Sequence, residues 1–131
     1  MLDKTKIQTL CTYISRLLTP CVDVEGKMTT SQKPKFVLWI TSSTTTALEI
    51  FSQTSGADVL LIDAQHGAFG HDEGLKMVTA CSTGKAECAV RVSDDSNAAE
   101  ICRYLDAGAT TVVCPMVNDR EACQRFVQSC Y

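Results

Sequence analysis

The sequence has no excess of positive charge and no long hydrophobic run. It holds 12 Lys and Arg residues against 15 Asp and Glu residues, a net charge of −3. Domains that bind nucleic acid present a clustered basic surface, so we expect no nucleic-acid partner. No apolar stretch approaches the ~18 residues that cross a membrane, and residues 1–18 lack the continuous apolar core of a secretory signal. These absences predict a cytoplasmic protein that does not bind membranes.

Paired cysteines are also missing, although the chain contains eight cysteines. They are scattered singly, with no Cys-x-x-Cys motif, whereas zinc sites generally use ligands paired at short spacing. Several fall at apolar positions of predicted helices and strands, as Cys114 does after Val112 and Val113. A free cysteine behaves there as a small buried hydrophobe. The pattern therefore predicts reduced core thiols rather than disulfides or a zinc site.

The hydrophobic pattern predicts one α/β domain preceded by a helix and a loop. Residues 1–34 would hold a helix from about Asp3 to Leu18 and a polar loop from Pro20 to Pro34. From residue 35 onward, predicted strands and helices alternate, which is typical of parallel βαβ units. The strands are Phe36 to Ile40, Val59 to Ile62, Cys88 to Val92 and Thr111 to Met116, and the helices are Thr44 to Thr54, His71 to Cys81, Asn97 to Leu105 and Asp119 to Cys130. Three glycines, each expected in the left-handed conformation that ends a helix, follow the first three helices: Gly56, Gly84 and Gly108.

Four βα units leave two architectures open. They fit an open, doubly wound sheet, and they also fit half of an eightfold barrel. A complete barrel needs at least ~200 residues, more than the 131 of this chain. The last predicted helix also ends at Tyr131 without a capping residue, which predicts that the chain is part of a longer domain.

A polar cluster follows the second predicted strand. Asp63, Gln65 and His66 come directly after the apolar run that ends at Ile62, and α/β folds build their sites beyond the carboxyl ends of buried strands. Arg91 lies inside the next strand, where its charge requires an anion: either Asp63 or a bound carboxylate. His71 opens a helix, so we expect it to be solvated or to act as a cap.

Five segments of the second part of the chain occur in a characteristic order and spacing. They are Leu38-Trp39 before a Ser/Thr run, Leu61 to Gly67, Val90-Arg91-Val92, Leu105 to Ala109, and Cys114 to Val117. In this order they resemble the HpcH/HpaI aldolase family, over about Lys35 to Tyr131. The resemblance implies that residues 35–131 form the N-terminal half of a (β/α)8 TIM barrel of the phosphoenolpyruvate/pyruvate type. It thereby favours the half-barrel over the open sheet.

The family resemblance also implies a function. Its members are metal-dependent pyruvate aldolases, which cleave a 4-hydroxy-2-oxo acid to pyruvate and an aldehyde with Mg²⁺ or Mn²⁺. The small oxo acid is thus the implied substrate, and a homo-oligomer is the implied assembly. The implied catalytic residues are His66 as the base, Arg91 on the enolate oxygen and Asp106 as the partner of the histidine. The residues expected around the substrate are Trp39, Asp63, Gln65 and Pro115.

Three features of the sequence set limits on this implied function. Gln65 stands where the family often has Glu. The family's two metal ligands belong to strands of the second half of the barrel, so no metal ligand is predicted in this chain. Asp106 precedes a predicted strand, so it belongs to the opposite face of the barrel from His66. It would therefore reach a histidine only in a neighbouring subunit. Otherwise it is a structural residue of the turn before Gly108. A non-catalytic aldolase-like fragment that acts as an interaction module is therefore the alternative function. A flavodoxin-like receiver is disfavoured because Thr41, Ser42 and Ser43 supply no acidic cluster after the first strand.

Overall fold

The computed structural model describes residues 34–94 and 96–131. The predicted helix from Asp3 to Leu18 and most of the loop from Pro20 to Pro34 lie outside the described residues. The chain divides into two compact units, Met1–Lys35 and Phe36–Tyr131, and all elements considered below belong to the second unit. No helix in the described ranges is long and apolar enough to cross a membrane.

Strands and helices alternate along the described residues as predicted. Their order is β1 (Val37–Ile40), α1 (Thr45–Thr54), β2 (Val59–Asp63), α2 (His71–Cys81), β3 (Glu87–Arg91), α3 (Ala98–Asp106), β4 (Thr111–Val113) and α4 (Arg120–Ser129). Asn97 and Asp119 cap α3 and α4 by accepting hydrogen bonds from backbone N–H groups at Glu100 and Ala122. Such caps satisfy N–H groups that a helix start leaves without partners.

The four strands form a parallel sheet in the order β1-β2-β3-β4. Right-handed crossovers between strands in sequential order place every connecting helix on the same face of the sheet. Neighbouring helices indeed pack against each other in chain order, α1 on α2, α2 on α3 and α3 on α4. A doubly wound sheet reverses its strand order and carries helices on both faces. The arrangement is therefore that of a partial barrel, which confirms the predicted fold.

Alternate residues of the strands face the helices and form the core. Leu60 and Ile62 of β2 and Val90 of β3 are fully buried there, together with Met77 of α2 and Ile101 of α3. The period of two along each strand places Asp63 and Arg91 on the other face of the sheet. This opposite face is the interior of a complete barrel, so both charged side chains lie on its inner surface.

Two local predictions, on the end of β4 and on Gly84, need correction. β4 ends at Val113, not Met116, because Pro115 has no N–H for the ladder and Met116 has a left-handed φ of 54°. Gly56 and Gly108 adopt the predicted positive φ, but Gly84 does not. Residue 84 has to be glycine for a different reason: a Cβ there would overlap Ser52 of α1.

Only part of the apolar surface of α1 is buried. Leu48 is buried, but Ile50 and Phe51 are exposed, and the buried residue one turn after Leu48 is Ser52. The Ser52 hydroxyl donates to the Glu49 carbonyl, which satisfies its hydrogen-bonding need inside the protein.

The cysteine prediction is confirmed for the described residues. All six cysteines there are free thiols: Cys81, Cys88, Cys102, Cys114, Cys123 and Cys130. Cys81 and Cys88 are buried in the core, whereas Cys123 is exposed. Burial and a hydrogen bond with Cys81 both raise the pKa of the Cys88 thiol, so it is protonated and unreactive at neutral pH.

Candidate active site

Asp63 is the centre of the polar cluster at the carboxyl end of the sheet. It ends β2 directly opposite Arg91 of β3, and it is buried. The Arg91 guanidinium donates Nε–H to Asp63 Oδ1 at 2.9 Å and donates from Nη2 to Oδ2, a two-pronged pair. This geometry is the strong, directional form of an arginine–carboxylate contact. The predicted partner of Arg91 is thus Asp63.

Trp39 holds the same pair from the neighbouring strand. Its indole N–H donates to Asp63 Oδ2 at 3.0 Å, and the Arg91 guanidinium lies 5.0 Å from the centre of its ring. A guanidinium above an indole is favoured by the ring's negative face. The three side chains therefore restrict one another, and Arg91 is held in a fixed direction on the inner face of the sheet.

The carboxylate of Asp63 is strongly stabilised as an anion. Burial works to raise its pKa, but the hydrogen bonds from Arg91, Trp39 and the His66 backbone together outweigh burial. They hold the pKa of Asp63 well below its ordinary value of 3.8. Asp63 is accordingly a fixed negative charge and not a proton donor or acceptor at neutral pH.

The lowered pKa predicts a loss of stability in acid. Above about pH 4 Asp63 is charged in both the folded and the unfolded chain, so its ion pair contributes fully. As the pH falls below 3.8, Asp63 binds a proton in the unfolded chain but stays charged in the folded chain. The free energy of unfolding then falls by up to about 1.4 kcal/mol per pH unit. Urea unfolding at pH 7, 4, 3 and 2 should show the stability difference between wild type and Asp63→Asn shrinking only below pH 4. A constant difference across this range would contradict the assignment.

A tight turn after Asp63 places His66. The backbone N–H groups of Gln65 and His66 donate to Asp63 Oδ1 at 3.2 and 3.1 Å, and the N–H of Gly67 donates to the Asp63 carbonyl at 2.8 Å. Asp63 thus orders the turn through its side chain, a standard role of aspartate in turns. The side chain of His66 is exposed, so the turn presents its imidazole to solvent at the end of the sheet.

Gly67 is required by the close packing of this turn. A Cβ at residue 67 would overlap both the Asp63 carbonyl oxygen and the ring of Phe69, whereas a Cβ at Gly70 would meet nothing within 4 Å. We expect Gly67→Ala to cost about 1–3 kcal/mol because the turn must shift. Gly70→Ala is the matched control and should stay within about 1 kcal/mol of wild type. Chemical denaturation of both variants measures the difference, and equal stabilities would show that the turn is looser than described.

Two further contacts fix the turn to β1, and sequence reasoning missed both. The N–H of Ala68 donates to the Thr41 carbonyl at 2.8 Å, and the Ser43 hydroxyl donates to Glu73 Oε1 at 2.9 Å. The predicted Ser/Thr run after β1 therefore has a structural use. Only the inter-strand register shows it, since nothing in the sequence pairs residues 43 and 73.

The remaining predicted site residues divide between the two ends of the sheet. Gln65 is half-buried in the turn beside His66, and Pro115 is half-buried two residues after β4, at the same end. Asp106 is the last residue of α3 and is exposed at the opposite end, before β4 begins. The described part of this chain thus brings His66, Arg91 and the predicted substrate residues to one end, without Asp106.

The donor set at this site does not fit a metal ion by itself. Both oxygens of Asp63 are engaged by Arg91, and a positive guanidinium disfavours a nearby cation. In residues 34–94 and 96–131 no group of three or more His, Cys, Asp or Glu side chains is arranged to hold a metal. Divalent ions of the Mg²⁺ type need several oxygen ligands, which these residues do not supply.

Comparison with known proteins identifies the family. The family model described as HpcH/HpaI aldolase/citrate lyase matches residues 35–131. The chain belongs to this family. The hydroxypyruvate/pyruvate aldolase of Agrobacterium fabrum is 34% identical over 97 residues, covering 74% of this chain and 36% of that protein. The 2-keto-3-deoxy-L-rhamnonate aldolase of Salmonella gallinarum is 33% identical over 92 residues, covering 70% and 34%. The chain spans about a third of the length of these relatives.

Solved HpcH/HpaI structures share the fold. An HpcH/HpaI aldolase from Desulfitobacterium hafniense matches with a TM-score of 0.62 at 21% identity, over 73% of this chain and 37% of that one. An HpcH/HpaI aldolase/citrate lyase family protein from Burkholderia cenocepacia matches with a TM-score of 0.69 at 20% identity, over 92% and 42%. These likenesses confirm the partial barrel.

Proposed function

We propose that this chain carries the N-terminal part of a carbon–carbon lyase that cleaves 4-hydroxy-2-oxo acids to pyruvate and an aldehyde. The observation that supports the proposal best is the Arg91 guanidinium, held by Asp63 and Trp39 at the same end of the sheet as the exposed side chain of His66. A fixed cation and a base at one end of the sheet suit a reaction that removes a proton and develops an oxyanion. The family's named relatives are aldolases, which agrees with this chemistry.

Arg91 has the role of stabilising the enolate. Its ion pair with Asp63 uses Nε and Nη2, so Nη1 is the guanidinium nitrogen that the pair does not use. The C2 oxygen of the substrate becomes negative as the C3–C4 bond breaks, and Nη1–H donates to it. A donor that is already oriented stabilises the transition state without rearranging during the reaction.

His66 has the role of the base. Its imidazole accepts the proton of the C4 hydroxyl, the C4–O bond becomes the carbonyl of the aldehyde, and the electrons of the C3–C4 bond pass to the pyruvate enolate. The enolate then takes up a proton at C3 to give pyruvate. Trp39, Gln65 and Pro115, at the same end of the sheet, are the proposed contacts to the substrate.

The divalent metal of the family has to be held by residues outside the described part of this chain. Members of the family generally depend on such a metal, which acts as a Lewis acid on the oxygens of pyruvate. The proposed roles of His66 and Arg91 concern only the proton and the enolate charge, and they do not require a metal ligand among the described residues.

We also propose a homo-oligomer, which the position of Asp106 supports. If Asp106 orients the histidine as in the family, it must reach His66 of a second copy, because it lies at the opposite end of the sheet in its own chain. Within the described residues β1 and β4 each pair with one strand only, and unpaired strand edges also promote association. We therefore expect size-exclusion chromatography with light scattering to give a mass above the 14.2 kDa of one chain. A soluble monomer with sharp thermal unfolding would contradict this expectation.

The lyase proposal is tested by measuring pyruvate. The chain is incubated with 4-hydroxy-2-oxo acids of different lengths, with Mg²⁺ or Mn²⁺, and pyruvate is detected through lactate dehydrogenase. Pyruvate release that needs the metal and disappears with a chelator supports a lyase. No release with any metal would overturn lyase activity for this chain and favour the alternative, an aldolase-like interaction module.

A further inference from the structure

A cavity between the first turns of α2 and α3 is lined by two residues that carry polar atoms without partners among the described residues. It has a volume of about 210 Å³ and is lined by His71, Ser93, Asn97, Ala99, Glu100 and Arg103. Pockets for drug-sized ligands are larger, about 300–1,000 Å³, so this cavity suits a small metabolite. It lies among the helices, whereas Asp63 and Arg91 occupy the other face of the sheet.

Glu100 is the most unusual residue of the cavity. It is only 8% exposed, and its Oε1 accepts from the Ser93 hydroxyl at 3.2 Å, yet among the described residues its Oε2 is buried with no hydrogen-bond partner. A buried carboxylate oxygen without a donor is costly. The cavity wall therefore supplies an acceptor that a ligand's donor would satisfy.

His71 lines the same cavity and carries a second unpartnered atom. Its ring packs edge-on against Tyr104 at 5.0 Å between centres, and its Nε2 is buried without a partner within the described ranges. The predicted capping role of His71 is not found, since no side chain caps α2, and its side chain is half-buried rather than fully solvated. In the neutral imidazole, Nε2 can either donate or accept, so it can bind a polar group of either kind.

Arg103 adds a positive charge one turn from Glu100. Residues three apart on a helix are neighbours, with about 5–6 Å between their Cβ atoms. The cavity is therefore lined by a buried carboxylate side chain and an exposed guanidinium side chain, two opposite charges carried by one helix. A metal ion fits less well, because only His71 and Glu100 could ligate it and Arg103 would repel it.

We propose that this cavity binds a small zwitterion of the α-amino acid class. The ammonium group donates to the Glu100 carboxylate, the carboxylate of the ligand accepts from the Arg103 guanidinium, and the His71 side chain borders the ligand. The lining residues differ from those of the candidate active site, and the proposal does not depend on lyase activity.

Binding is tested with three probes that differ in one charged group each. L-Serine carries both charges, glycerate has a hydroxyl in place of the ammonium group, and ethanolamine lacks the carboxylate. The probes are titrated into the full 131-residue chain, and the signals of the His71 ring and of the backbone amides of α3 are followed by NMR. We expect saturable binding of L-serine at millimolar concentrations and at least about tenfold weaker binding of the other two.

Variants of the cavity keep the test falsifiable. Glu100→Gln and Arg103→Gln should each weaken L-serine binding by about 10- to 100-fold, whereas Asp72→Asn, an exposed acid of α2 that does not line the cavity, should bind as wild type does. Arg103 is exposed, so its substitution keeps the test valid if Glu100→Gln fails to fold. No saturable shift with L-serine, equal binding of all three probes, or undiminished binding by the Arg103→Gln variant would overturn the proposal and leave a water-filled cavity.

Discussion

Replacing Asp63 with alanine is expected to lower the free energy of unfolding by about 3–5 kcal/mol, because it removes one partner of a buried ion pair. Arg91 is only 20% exposed and would keep its charge without an anion. The Trp39 indole N–H and the backbone N–H groups of Gln65 and His66 would lose their acceptor as well. Small domains have a total stability of about 5–15 kcal/mol, so the variant should be largely unfolded under mild denaturing conditions.

Urea titrations followed by far-UV circular dichroism measure this loss. The single tryptophan of the sequence, Trp39, adds a local signal, since its fluorescence reports the contact with Asp63. Asp72→Ala, at an exposed position in the first turn of α2, is the matched control and should cost no more than about 1 kcal/mol. The double variant Asp63→Ala with Arg91→Met should recover part of the loss, because no unpaired charge is then buried. If Asp63→Ala matched the control, the ion pair would contribute nothing to folding.

The sequence predicted an anionic partner for Arg91, with Asp63 as one of two candidates, because a charge within an apolar strand needs a partner. Asp63 ends the preceding strand, and the carboxyl ends of parallel strands meet at one edge of the sheet. The sequence did not predict that Trp39 joins the pair. That contact depends on the register that aligns Trp39 with Leu61 and so brings it close to Asp63, and no local pattern encodes the register between two strands.

The elements themselves were predictable, apart from their ends. Apolar runs between turn residues marked each strand, but the run that begins at Thr111 continues past the true end of β4, where Pro115 and the left-handed Met116 leave the sheet. Glycine spacing suggested a left-handed residue at Gly84, whereas the actual constraint there is contact with Ser52 of another helix. Both errors arise because packing between distant segments, rather than local preference, decides the outcome.

The cavity beside His71 could not be predicted at all. His71, Glu100 and Tyr104 come together only because α2 packs on α3. In the sequence, His71 has the features of an ordinary first-turn residue, and Glu100 those of a solvated acid. The family's motifs do not include either of them among the residues that carry the resemblance.

His66→Ala is expected to reduce pyruvate release by about 10²- to 10⁴-fold, the range over which a general base contributes. The fold should be unaffected, because the side chain of His66 is exposed and the contact with Asp63 is made by its backbone N–H. The stability of the variant should therefore stay within about 0.5 kcal/mol of wild type. A loss of activity without a loss of stability separates a chemical role from a structural one.

Added imidazole gives the sharper readout of the same variant. If the histidine acts as the base, a free imidazole can enter the space that the alanine leaves and accept the substrate proton, so activity should rise in proportion to the imidazole concentration. That rise should follow the fraction of neutral imidazole as the pH changes, because only the neutral form accepts a proton. Arg91→Leu should also be inactive, but imidazole should not restore it, since the lost group is a cation at the enolate oxygen. If His66→Ala were as active as wild type, the proton transfer would belong to another residue. The same would follow if imidazole restored His66→Ala and Arg91→Leu alike.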